Sequence, residues 1–211
     1  MSGVVFAVLF LIGWFASGGD APDYGAADQD WTNWADDNQW KSRVGAFAML
    51  LAGFVFLHFA ATIRTMFGRA ESSAELARVS FAGAITGMAG MAMAIVMIAS
   101  ATTEGAGANP GVTRAVATAS AGPFLLSAMG FAAFLLAAGL LTLRTRTSPR
   151  WTGVVALIGA VSFLVAFAAV LSGLGEDSVF GFGFFPGVLA LVIWSVTASV
   201  ACYRAVTITT H

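Results

Sequence analysis

The chain has 211 residues, 58% of them apolar, with 24 glycines besides. Only 10% are charged, 10 basic against 11 acidic, well below the roughly 25% of an ordinary soluble domain. That is too little charge to cover a water-exposed surface, and no basic cluster suits nucleic acid, so an integral membrane protein is what remains.

Six apolar stretches follow one another, at about 2–17, 43–67, 80–101, 121–143, 151–172 and 186–206. A helix needs roughly 20 apolar residues to cross the hydrocarbon. Five stretches reach this; the first is short, but it lacks the basic lead of a signal peptide and is read as a retained span. The expected fold is an all-α polytopic transmembrane bundle of about six spans, one domain over 1–211.

The outer segment 18–42 reads as a polar loop carrying six aspartates and Trp31, Trp34 and Trp40. Asp28-Gln29-Asp30 with Asp36-Asp37 lacks the central glycine and terminal glutamate of a calcium loop. Aromatic rings at this height usually anchor a protein at the interface. The alternative is an acidic, aromatic lip shared with Phe180, Phe182, Phe184 and Phe185 of the last outer loop, its rings converging on a pocket.

In the second span, His58 is the only ionisable side chain deep in a stretch, six residues before Arg64. Such groups are costly in hydrocarbon and are functional candidates by default. Thr86 in the third span and Ser199 in the sixth reach similar depth. Ser195, Ser199 and Cys202 share one helical stripe. These residues are expected to form a polar layer around a buried His58, as a ligand site or as hydrogen-bonding glue between helices. The third span holds Met88, Met91, Met93 and Met97 beside Gly83, Gly87 and Gly90. Thioethers bind Cu(I), but with no Cys or His in that span, packing across glycine-lined contacts is the better account. The lone Cys202 excludes an internal disulfide and a thiolate metal site, and no metal or other cofactor is implied.

Orientation follows the basic residues. Arg64, Arg69, Arg78, Arg144, Arg146, Arg150 and Arg204 fall on one side, and only Lys41, Arg43 and Arg114 on the other. Both termini are therefore expected in the cytoplasm of a multi-pass cell-membrane protein. Thr62-Ile63-Arg64-Thr65 is echoed by Thr142-Leu143-Arg144-Thr145. Three repeated hairpins would produce this echo, but so would the basic stop that every span entering the cytoplasm needs.

The runs Trp34-Ala35-Asp36-Asp37-Asn38, Arg43-Val44-Gly45-Ala46 and Phe54 to Arg64, with the turn Arg146-Thr147-Ser148-Pro149-Arg150-Trp151, resemble an uncharacterised bacterial family of multi-span membrane proteins. The resemblance covers the chain from about Asp30 onward. It implies a six-span fold and brings no activity or functional residue with it.

No catalytic triad, paired intramembrane carboxylates or His-x-x-Glu motif is present. The expected function is non-enzymatic binding or passage of a small apolar molecule or lipid. The alternatives are an accessory subunit of a larger membrane complex and an intramembrane enzyme centred on His58. Expected partners are membrane lipid, a small apolar ligand or other membrane subunits.

The orientation can be tested by single cysteines at Thr103 and Ser148 in a Cys202-free background. An impermeant thiol reagent added outside should label position 103 and leave position 148 unlabelled; labelling at 148 would overturn the topology.

Overall fold

Backbone amides in hydrocarbon have no partner but their own chain, which leaves a helix as the only local solution for each apolar stretch. The computed structural model describes residues 1–17, 21–22, 25–68, 71–103, 109–146, 148–172 and 179–208. All regular structure among them is helical: α1 (Ser2–Ala16), α2 (Asp28–Phe67), α3 (Glu71–Ala101), α4 (Pro110–Ala119), α5 (Ala121–Thr145), α6 (Arg150–Phe167), α7 (Ala169–Ser172) and α8 (Val179–Ile208). Helices α2, α3 and α8, the α4–α5 pair and the α6–α7 pair are long and apolar enough to cross a membrane. With 15 residues, α1 spans about 22 Å and falls short of the hydrocarbon thickness.

Three helices begin well before the stretches read from sequence, among them α3, at Glu71 and not near 80. Residues 28–42 are no loop but the first turns of α2, which has 40 residues. Asp28 and Asp30 occupy its first turn, where carboxylates suit the helix dipole. Trp31, Trp34, Ala35, Asn38 and Ser42 recur every three or four residues and form one buried face. Charge on the opposite face had masked this period. At the other end of the chain, α8 starts at Val179 and carries Pro186 inside it, so that proline does not mark the helix start. Of the six aspartates of the outer segment, Asp20 and Asp23 lie outside the described residues.

The helices form a ring in which α1 packs on α2, α2 on α3, α3 on α5, α5 on α6, α6 on α8, and α8 on α1. Its axis is filled by rings. Phe56 lies 4.6 Å from Phe6 and 5.1 Å from Phe134, and Trp194 lies 5.4 Å from Phe134, all fully buried. Above this core, Trp31, Trp34 and Ala35 pack with Ala101 and with Ala117 of α4 in a second, smaller cluster. Asp28 and Arg114 tie α4 to α2 by an exposed ion pair of 3.0 Å, a contact that adds little stability.

Lipid tails are as apolar as leucine, so helices in a membrane associate through close packing and not through the hydrophobic effect. Five of the six seams are closed by a glycine against its neighbour's backbone. Gly83 and Gly90 of α3 abut Phe134 and Ser127 of α5, and Gly130 abuts Gly87 in return. Gly183 meets Ser162 and Ala166, Gly139 meets Gly153, Gly3 meets Ser195, and Gly13 meets Met49. The packing role expected for Gly83, Gly87 and Gly90 is what the structure shows. The exception is the α2–α3 seam. There Gly53 faces only the terminal methyl of Met88, with no backbone within reach.

A Gly130→Leu change places its Cβ against the Gly87 amide. It should cost about 1–3 kcal/mol or prevent assembly altogether. Gly122, whose Cβ would meet nothing within 4 Å, should accept leucine within about 0.5 kcal/mol. Thermal unfolding of both variants in detergent checks the contrast.

Candidate functional site

Because methionine side chains and not backbone space the α2–α3 seam, a crevice of about 340 Å³ opens along it. Met49, Leu50, Gly53, Phe54 and Leu57 of α2 form one wall, and Ile85, Met88, Ala89, Met91, Ala92 and Ile95 of α3 the other. Every one of these side chains is apolar. Phe54, Leu50 and Ile85 are among the exposed large apolar residues, so the mouth opens outward and not toward the ring axis. Met88 and Met91 are buried in the seam, while Met93 is exposed. Unbranched thioethers suit such an irregular boundary because they re-pack at low cost.

Two turns further along the same pair of helices lies a polar pocket of about 440 Å³, lined by Ala61, Arg64, Thr65 and Gly68 of α2 and Ala74, Ala77 and Arg78 of α3. The Arg64 guanidinium stands over the Phe81 ring, 5.1 Å from its centre, in a cation–π contact that fixes its place. Thr65 donates its hydroxyl to the Ala61 carbonyl at 3.0 Å. Among the described residues no carboxylate lines the pocket, and the one ion pair is that of Arg114 with Asp28.

The residues singled out from sequence are not brought together. His58 is exposed on α2, where Phe47, Leu50, Leu51 and Phe54 are also exposed. Its expected burial is corrected: the buried face of α2 runs through Phe56, Phe59, Ala60 and Ile63, and His58 falls between these positions. Thr86 is half-buried beside the α3–α5 seam, where its backbone approaches Gly130. Ser195 and Ser199 are buried on α8, but they face Gly3 of α1. The polar layer around His58 therefore does not form. Cys202 instead borders a small apolar cavity of about 110 Å³ with Trp194, Ile63, Phe67 and Thr142. Nearby, Trp194 donates its indole N–H to Thr142 Oγ1 at 3.4 Å.

The aromatic lip divides in two. Trp31 and Trp34 contact each other edge-on at 5.8 Å inside the outer cluster. Phe184 is fully buried in the main core, stacked on Phe180 at 4.8 Å and close to Trp14 and Phe163. Trp40 and Phe182 are strongly exposed, at 76% and 86%, and turn away from both groups. The convergence expected of a binding mouth is thus absent here, and the exposed rings suit interfacial anchoring.

Sequence reasoning missed three features. Trp34 Nε1, Asn38 Oδ1 and Ser42 Oγ are buried along one face of α2 without a hydrogen-bond partner among the described residues. In the sequence, Arg64 and Arg78 read only as topology signals. The crevice itself could have been sought where two facing spans carry long, unbranched side chains in place of small residues.

Over residues 1–205 the chain matches the family described as a domain of unknown function (DUF4386), and it belongs to that family. No curated protein and no solved structure matches it.

The exposure of His58 has a direct consequence. His58→Leu should leave stability within about 0.5 kcal/mol of the parent, as should His58→Asn. A loss of about 2 kcal/mol or more in thermal unfolding would place the imidazole in packed surroundings instead.

Proposed function

We propose that this membrane protein is non-enzymatic and holds a lipid chain, or a small apolar molecule of similar section, in the α2–α3 crevice. The observation that carries the reading is the crevice's uniform lining: eleven residues, none with a polar side chain, around about 340 Å³. That volume falls within the range of small-ligand sites. An apolar ligand gains roughly 25 cal/mol for each Å² removed from water, and a bilayer chain gains by dispersion where the walls match it. The filled ring axis favours holding over passage, since a molecule moving along it would have to displace Phe56, Phe131 and Trp194, all fully buried.

Filling the crevice tests this. Ala92 is half-buried on its α3 wall, so Ala92→Phe should occupy the space without entering the ring core. Native mass spectrometry of the purified full chain should show at least one tightly held apolar adduct on the parent and its loss from the variant. Equal adducts on both proteins would overturn the reading.

A further inference from the structure

The basic pocket and the apolar crevice share one groove. On α2 the lining passes through Leu50, Gly53, Leu57, Ala61, Arg64 and Gly68, at steps of three or four residues. On α3 it passes through Ala74, Ala77, Arg78, Ile85, Met88 and Ala92, in the opposite direction. Residues so spaced lie on one helix face. Phe81 stands between the two α3 segments, with Arg64 over its ring. The two cavities therefore lie end to end, one cationic and one apolar.

We propose that the groove selects an anionic phospholipid, with Arg64 and Arg78 taking the phosphate and the crevice holding an acyl chain. This rests on the reading of the crevice as a lipid-chain site. Three observations point to that occupant. The first is dimension: fourteen residues separate Arg64 from Leu50, a rise of about 21 Å along α2. The phosphate level lies about 20 Å from the middle of a bilayer, so a headgroup at Arg64 brings its chain to the crevice.

The second is charge. Arg64 and Arg78 line the pocket without a carboxylate among the described residues that form it. Glu75, the nearest described acid on α3, is exposed and takes no part in the lining. A guanidinium pair offers several donors in fixed planes, which suits phosphate oxygens. The third is position. The pocket is at the end where basic residues gather, the side assigned to the cytoplasm, whose leaflet carries anionic lipid.

The experiment uses the full chain in detergent, equilibrated in parallel with phosphatidylglycerol and phosphatidylcholine of identical acyl chains and read by native mass spectrometry. Near a membrane surface each basic side chain favours anionic lipid by about fivefold, so two should give a preference of about 25-fold. The double variant R64Q/R78Q should lose that preference yet keep binding both lipids at the level of phosphatidylcholine on the parent. Both arginines are exposed, and an unchanged melting temperature will confirm that the variant folds. R64K/R78K serves as the charge-preserving control and should retain most of the preference.

Equal binding of the two lipids by the parent would overturn the headgroup assignment while leaving the crevice reading standing. A preference that survives in R64Q/R78Q would do the same, by placing the phosphate elsewhere. Failure of the parent to bind either lipid would remove both readings. Excess inorganic phosphate that releases the lipid entirely would show the chain contributes nothing, which also counts against the groove.

Discussion

The whole ring depends on backbones approaching one another where glycine leaves room. In water, burying apolar side chains would drive the helices together; in hydrocarbon that force is missing, and dispersion between closely fitted surfaces has to suffice. The α3–α5 seam shows the arrangement most fully. Each forward step of three or four residues along Gly83, Gly87 and Gly90 is matched by an equal backward step along Phe134, Gly130 and Ser127. Backbones this close leave no slot for lipid or ligand. A groove can persist only where the rule lapses, and at α2–α3 Gly53 meets a methionine methyl in place of a backbone. The crevice is in this sense a consequence of the seam's composition.

Polar groups add little to the holding of this ring. Most threonine and serine hydroxyls are spent on carbonyls three or four residues earlier in their own helices, as at Thr142, Ser127 and Thr197. Such bonds satisfy a group locally and join nothing. Trp194 to Thr142 is one bond that does cross between spans. Shape, not hydrogen bonding, therefore sets the partner of each helix, and the aromatic axis supplies much of that shape. Ring contacts from Phe6 through Phe56, Phe134 and Trp194 fix α1, α2, α5 and α8 around one column.

The membrane class and the all-helical fold were legible because hydropathy along a chain integrates over many residues, and so tolerates local exceptions. The packing role of Gly83, Gly87 and Gly90 was legible for a related reason: small residues at helical spacing have few other uses in a span. His58 was misjudged because depth was weighed without phase. The positions of Gly53, Phe56, Phe59, Ala60 and Ile63 define the inward face of α2, and the same arithmetic turns residue 58 outward. The helical start of α2 was missed for the opposite reason. A hydropathy reading discards Asp28 to Ser42, whereas a periodic reading of Trp31, Trp34, Ala35, Asn38 and Ser42 would have kept it. The groove was out of reach, since it depends on how two successive helices align, and neither wall is distinctive alone.

The paired endings Thr62-Ile63-Arg64-Thr65 and Thr142-Leu143-Arg144-Thr145 show why a short motif cannot stand for a site. Thr62 is exposed and donates to the His58 carbonyl, whereas Thr142 is buried and accepts from Trp194. Ile63 is buried, while Leu143 is half-buried against Gly153. The two motifs therefore meet their neighbours in different phases, which is what a shared basic stop would produce and equivalent hairpins would not. Arg144 follows a seam closed by Gly139 against Gly153, and the apolar cavity that Thr142 borders holds only about 110 Å³. Arg64 follows the one seam that stays open. Identical chemistry at the end of a span becomes a candidate headgroup site only where the helices beyond it part far enough to admit a chain.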